Sequence, residues 1–151
     1  MRFYWGIVDR FSKQERSRIM SRVKGRDTAP ERIVRSIVHR LGFRFRLHVR
    51  SMHGTPDIVL ARHRKVILVH GCFWHGHTSC PRGTRPQSNV AFWEKKLSGN
   101  IERDKRIRRA LSQAGWRSLV IWECQVKDEM LVIRKLRRFL CGPDNRKDDA
   151  E

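Results

Sequence analysis

The pattern of apolar and polar positions predicts a helix between Thr28 and Gly42. Its apolar residues recur every three or four positions, at Ile33, Val34, Ile37, Val38 and Leu41. That spacing places them on one face of an amphipathic helix. Thr28 and Glu31 form a capping-box pattern at its start, and Gly42 suits the position after its end. The capping pattern alone is enough to explain Glu31 as a residue that stabilises the start of the helix. A functional role for Glu31 is the competing interpretation.

Four short segments show the apolar content or alternation of β-strands. Residues 43–47 alternate apolar and basic positions, which is typical of a half-buried strand. Residues 57–61, 66–69 and 116–122 are mainly apolar and predict buried strands. The connection over 62–65 is so short that the second and third strands should be antiparallel.

Further helices surround these strands. A second capping box, Ser12 to Glu15, predicts a basic N-terminal helix. Helical spacing predicts helices over 90–97, 101–114 and 130–140, with a break at Gly99 and Asn100. The resulting order of elements predicts an α/β fold with a central mixed β-sheet flanked by helices.

The net charge of the chain indicates what kind of partner it binds. The chain has 151 residues, enough for one domain, and a formal net charge of +19. Such an excess of positive charge favours a polyanionic partner, most often nucleic acid, over a merely soluble basic surface. No apolar run approaches the length of a membrane span, and no signal peptide is evident. We therefore expect a cytoplasmic protein whose four cysteines are reduced and serve as metal ligands.

Candidate zinc ligands are concentrated in the irregular loop after the strand at 66–69. Cys72, His77 and Cys80 have metal-ligand spacing, and thiolate and imidazole are groups that zinc prefers. A structural site needs a fourth ligand, for which Cys124 at a strand end is favoured and Cys141 is the rival. Three protein ligands plus water would instead make a catalytic zinc site. Reduced cysteines without metal remain the alternative.

Other residues in the same region are candidates for hydrolytic chemistry. Asp57 lies at the mouth of an apolar strand and His70 at the end of the next, so that both can meet at one sheet edge. His75 is either a general base with a near-neutral pKa or a further zinc ligand. Phe73 and Trp74 are either core residues or a wedge that enters the DNA base stack.

Several segments together resemble the very short patch repair endonuclease family of bacteria. They are 54–59 (Gly-Thr-Pro-Asp-Ile-Val), 70–77 (His-Gly-Cys-Phe-Trp-His-Gly-His), 92–96 (Phe-Trp-Glu-Lys-Lys), 100–104 (Asn-Ile-Glu-Arg-Asp) and 122–124 (Trp-Glu-Cys). The resemblance implies a restriction-endonuclease-like fold with a structural zinc. It also implies a Mg²⁺-dependent enzyme that nicks double-stranded DNA next to the T of a T·G mismatch, left by deamination of 5-methylcytosine.

The resemblance implies one endonuclease domain over 12–142, with a basic N-terminal arm. Residues 1–11 would be an extension and 143–151 a disordered tail. It further implies a monomer in the bacterial cytoplasm, with double-stranded DNA as partner and other mismatch-repair proteins as auxiliary partners. A non-catalytic zinc-containing DNA-binding module, and a nuclease of the same fold without mismatch preference, are the competing hypotheses.

The resemblance also assigns roles to residues. Asp57 and the main-chain carbonyl of Val69 would bind the catalytic Mg²⁺. His75 would be the general base, supported by His70 and Glu31. The zinc ligands would be Cys72, His77, Cys80 and Cys124, and the intercalating residues Phe73, Trp74, Trp93 and, from the minor groove, Met20. Family members often carry Thr where this chain has Val69, which a main-chain ligand tolerates.

Overall fold

The computed structural model describes residues 14, 15, 18, 21, 22, 25–87 and 89–142. The predicted extension over 1–11, the tail over 143–151 and Met20 lie outside the described residues. Residues 14, 15, 18 and 21 are helical, in agreement with the capping box that begins at Ser12.

The central layer is a three-stranded sheet in the order β1-β2-β3. The strands are β1 (Ile58–Leu60), β2 (Lys65–His70) and β3 (Arg117–Trp122). β1 runs antiparallel to β2, and β3 runs parallel to it, so the predicted mixed sheet and the predicted antiparallel pair are confirmed. The start of β1 therefore lies at the same edge of the sheet as the ends of β2 and β3.

The prediction of a strand over 43–47 is wrong. Only an isolated bridge forms there, in which Arg46 and Val59 exchange two backbone hydrogen bonds of 2.9 and 2.8 Å. The chain then turns away at His48, which has a positive φ of 46°. Because β1 itself has three residues, it offers little length on which a further strand could pair.

Within the continuous part of the described chain, 25–87 and 89–142, three helices cover the sheet: α1 (Ala29–Arg40), α2 (Val90–Gln113) and α3 (Glu129–Cys141). Short 3₁₀ turns occupy Ala61–His63, Pro81–Gly83 and Gln125–Lys127. The predicted break at Gly99 and Asn100 is wrong, since α2 is continuous. The Asn100 side chain bonds the carbonyl of Trp74 and the guanidinium of Arg103, so it does not compete with the helix backbone.

The two faces of the sheet pack against different helices. Apolar residues of α1 and α3 form the larger core with one face of the sheet: Val34, Ile37, Val38, Ile58, Ile67, Ile121, Val132 and Leu136. Leu111 of α2 packs on the opposite face against Val59 and Val66. The alternation of Val66 and Ile67 between the two cores follows from the two-residue period of a strand. In the part of the chain that is described, none of the helices has the length and apolar character needed to cross a membrane.

Candidate active site

The sheet topology brings three predicted site residues to one edge. Asp57 precedes β1, His70 ends β2, and Cys124 follows β3. The backbone N–H of Val69 donates to Asp57 Oδ2 at 2.7 Å, and that of Glu123 donates to the carbonyl of His70 at 2.9 Å. Residues far apart in sequence are thus held together by the strand pairing.

The environment of the Asp57 side chain disfavours its ionised form. Burial, and to a smaller extent the negative charge of Glu31, raises its pKa, which is about 6 in the folded protein. The bond from Val69 and the positive charges of His48 and Arg35 act in the opposite direction without cancelling the effect of burial. Such a carboxylate would be stabilised in its ionised form by a bound cation.

His75 forms a pair with Asp104, a residue that the sequence analysis did not place in the site. His75 Nδ1 lies 2.5 Å from Asp104 Oδ2, and both side chains are largely buried. A carboxylate at Nδ1 holds the ring proton there, so Nε2 is the basic nitrogen of the neutral ring. The predicted helix break at Asn100 concealed this relation, because Asn100 and Asp104 lie one turn apart on the same face only in the continuous helix α2.

His70 supports the ring of His75 by stacking. The two imidazole centroids are 3.9 Å apart with an interplanar angle of 13°. Burial, together with the neighbouring His75, lowers the pKa of His70 to about 3. His70 is therefore a neutral ring at ordinary pH, and it fixes the orientation of His75 without adding positive charge.

One face of α2 holds the loop that carries these histidines. Asn100 Nδ2 donates to the carbonyl of Trp74 at 3.1 Å, and Asp104 binds His75 one helical turn further on. Gly76 has a positive φ of 63°, and a Cβ there would lie 2.6 Å from Ile101 Cδ1. The loop and the helix therefore approach more closely than a larger residue at position 76 would permit.

The Cys and His residues predicted to bind zinc form one cluster. The ligand atoms of Cys72, His77, Cys80 and Cys124 all lie within 4.8 Å of one another. Cys124 Sγ is 3.4 Å from His77 Nδ1. Cys141, the rival fourth ligand, is exposed at the end of α3 and does not belong to the cluster.

The donor set fits a tetrahedral zinc ion. Zinc–sulfur bonds of about 2.3 Å and zinc–nitrogen bonds of about 2.0 Å place neighbouring ligands roughly 3.5–4 Å apart. Burial raises the pKa of the Cys72 thiol to about 12, so only a strong local cation would ionise it at neutral pH. His75 belongs to a separate group with His70 and Asp104, which argues against its being a zinc ligand.

Glu31 makes the contacts of a capping carboxylate. Its Oε1 accepts a hydrogen bond from the hydroxyl of Thr28, and its Oε2 accepts from the backbone of Asp27 and from Arg35, each at 2.9 Å. These bonds support the structural interpretation of Glu31. Its charge nevertheless reaches the active site, because it contributes to the raised pKa of Asp57.

The aromatic residues predicted to enter DNA are not equally accessible. Phe73 and Trp93 are buried together with Leu97, and Trp74 packs against them while remaining partly exposed. The Trp74 ring lies 5.1 Å from Phe73 and 6.2 Å from Trp93, measured between centroids. The structure therefore favours core packing for Phe73 and Trp93, which could stack on bases only if the cluster opened.

These features define a class of site. A buried carboxylate that favours a cation lies at the same sheet edge as a histidine positioned by an aspartate, in a strongly basic chain. This combination is typical of hydrolytic enzymes that act on phosphodiesters.

Comparison with known proteins identifies the family. The sequence profile described as DNA mismatch endonuclease Vsr matches residues 8–82. The chain is 43% identical over 134 residues to the type II nicking enzyme V.XorIIP of Xanthomonas oryzae pv. oryzae, covering 89% of this chain and 98% of that one. It is 38% identical over 142 residues to the DNA mismatch endonuclease Vsr of Escherichia coli, covering 90% of each chain. The chain therefore belongs to the Vsr family of DNA mismatch endonucleases.

Proposed function

We propose that this protein nicks double-stranded DNA next to the T of a T·G mismatch arising from deamination of 5-methylcytosine, by Mg²⁺-dependent hydrolysis. Membership of the Vsr family supports an endonuclease acting on mismatched DNA. The observation that carries the proposal is the His75–Asp104 pair, stacked on His70 at the sheet edge where Asp57 lies.

The residues of the site would have different roles in hydrolysis. Asp57 and the main-chain carbonyl of Val69 would hold Mg²⁺, which when bound polarises the phosphate and lowers the pKa of water. His75 would accept a proton from the attacking water through Nε2. Asp104 would keep the proton on Nδ1 and stabilise the imidazolium that forms, while His70 holds the ring in plane.

Zinc would have a structural role in this scheme. Bound by Cys72, His77, Cys80 and Cys124, it would tie the loop after β2 to the end of β3. His75 lies between two of these ligands in the sequence, so the metal would limit the movement of the general base. The arrangement of Asp57 at the start of an apolar strand, with helices on both faces of a mixed sheet, supports the proposed restriction-endonuclease-like fold.

Recognition of the mismatch would come from the aromatic cluster. Trp74, the partly exposed ring, would insert beside the T·G pair, because a mismatched step costs less to unstack than a paired one. Insertion of Phe73 and Trp93 would require the cluster to open on DNA binding. Met20 would approach from the minor groove. The basic surface would bind phosphates, so affinity should fall steeply with salt on matched and mismatched duplexes alike.

The proposal is tested by incubating the protein with duplexes that differ at one base pair, T·G or T·A, with and without Mg²⁺. We expect one nick in the T-containing strand of the T·G duplex, dependent on Mg²⁺ and absent with Asp57→Ala. Equal nicking of both duplexes would instead indicate a nuclease without mismatch preference. Binding without cleavage under every condition would overturn the catalytic proposal.

A further inference from the structure

Lys135 lies beside the Cys and His cluster without belonging to it. This half-buried residue of α3 donates from Nζ to Gln125 Oε1 at 3.0 Å. The same oxygen accepts the backbone N–H of Trp122 at 3.2 Å. Gln125 directly follows Cys124, so Lys135 is tied to the backbone segment that presents one of the thiols.

The charges of Lys135 and the cluster act on each other. The Lys135 ammonium group lies within electrostatic range of two cluster residues, the thiol of Cys124 and the imidazole of His77. The His77 ring is also held by stacking on Trp122, with centroids 4.2 Å apart and an interplanar angle of 2°. Lys135, Gln125 and Trp122 thus form a layer of contacts around two of the four cluster residues.

A zinc ion held by three thiolates and a neutral imidazole carries about one unit of net negative charge, since the cysteines bind as thiolates. A nearby cation stabilises such a centre, and more so where the surroundings are partly shielded from water. Arg82, another cation of this region, lies 3.7 Å from the carboxylate of Glu123, which partly offsets its charge. Lys135 instead bonds a neutral amide, so that bond leaves its charge uncompensated.

We propose that Lys135 is a positioning residue of the zinc centre, which offsets the negative charge of the zinc-bound cluster and, through Gln125, fixes the segment that carries Cys124. The inference rests on the proposed zinc site and adds to it a residue that is not a ligand. Replacement of such outer contacts typically lowers metal affinity by about 10–100-fold. We expect a loss near the lower limit, because Lys135 contacts the ligand segment through Gln125 and not a ligand atom directly.

The test compares zinc dissociation constants, measured by competition with a chromophoric chelator, for the full chain and three variants. Lys135→Met removes the charge and keeps the aliphatic bulk, and we expect about 10-fold weaker zinc binding. Lys135→Arg keeps the charge and should therefore lose less zinc affinity than Lys135→Met. Arg134→Met removes an equal charge from the adjacent exposed position and should leave the affinity unchanged.

A second measurement separates charge from packing. If the ammonium group acts electrostatically, the difference between Lys135→Met and the unmodified protein should shrink as ionic strength rises. Lys135→Gln, which also lacks the charge, replaces Lys135→Met in the comparison if the latter does not fold. Unchanged zinc affinity in the uncharged variant, or an equal loss in Arg134→Met or Lys135→Arg, would overturn the role of Lys135. Failure of the unmodified protein to bind zinc would overturn the zinc site itself, which is a distinguishable result.

Discussion

Replacing Asp57 with asparagine should stabilise the magnesium-free protein at neutral pH while abolishing strand cleavage. Burial and the charge of Glu31 raise the pKa of this carboxyl from an ordinary value of 3.8 to about 6. One pKa unit corresponds to about 1.4 kcal/mol, so ionised Asp57 lowers the free energy of unfolding by up to about 3 kcal/mol. Asparagine removes this cost, and its side-chain oxygen can still accept the hydrogen bond from Val69.

The sign of the effect depends on pH. Between about pH 4 and pH 6 the folded state retains a proton that the unfolded state has released, so stability is lost as pH rises through this range. The advantage of Asp57→Asn should therefore be absent near pH 4, about half developed near pH 5, and complete above about pH 7. His70 has the opposite effect on the pH dependence of stability, because burial lowers its pKa to about 3. This contribution is the same in both proteins and cancels in the difference between their free energies of unfolding.

The assay is urea unfolding followed by tryptophan fluorescence, near pH 5 and near pH 8, without added magnesium. Asp128→Asn is the matched control, since Asp128 is an exposed carboxylate that caps α3 by accepting the backbone N–H of Leu131 at 2.9 Å. Asparagine also caps helices, so this control should give no stabilisation at either pH. A destabilised Asp57→Asn variant, or a gain that does not grow between the two pH values, would refute the electrostatic argument.

Three further predictions concern the zinc ligands, the partner of the general base His75 and the insertion of Trp74 into DNA. Cys124→Ala should lose zinc while Cys141→Ala retains one zinc per chain, and equal metal content in both variants would contradict the assigned ligand set. Asp104→Asn should slow nicking by about 100-fold with DNA affinity unchanged, because the tautomer and orientation of the base are no longer enforced; an unaltered single-turnover rate would exclude this role. Trp74→Ala should cost roughly one to two decades of affinity for T·G duplexes, from about 1–3 kcal/mol of stacking, and much less for matched DNA; equal losses on both, measured by titration, would indicate packing alone.

Local patterns in the sequence were sufficient for the main elements and for part of the site. The helical spacing between Thr28 and Gly42 predicted α1, and the short basic connection over 62–65 predicted the antiparallel pairing of β1 and β2. Cys72, His77 and Cys80 lie within one loop, so their spacing alone brought them close together. Interactions between residues near in sequence depend on backbone geometry that the local pattern specifies.

Other features were decided only by tertiary packing. The partner of His75 is Asp104, 29 residues away, and the pair forms because one face of α2 lies against the loop. Cys124 joins the cluster and Cys141 does not, because β3 ends beside β2 whereas α3 ends at the exposed surface. The burial of Phe73 and Trp93 likewise depends on how α2 docks, which no period in the sequence encodes. A local pattern indicates which face of an element is apolar, whereas the packed fold determines which distant side chain that face meets.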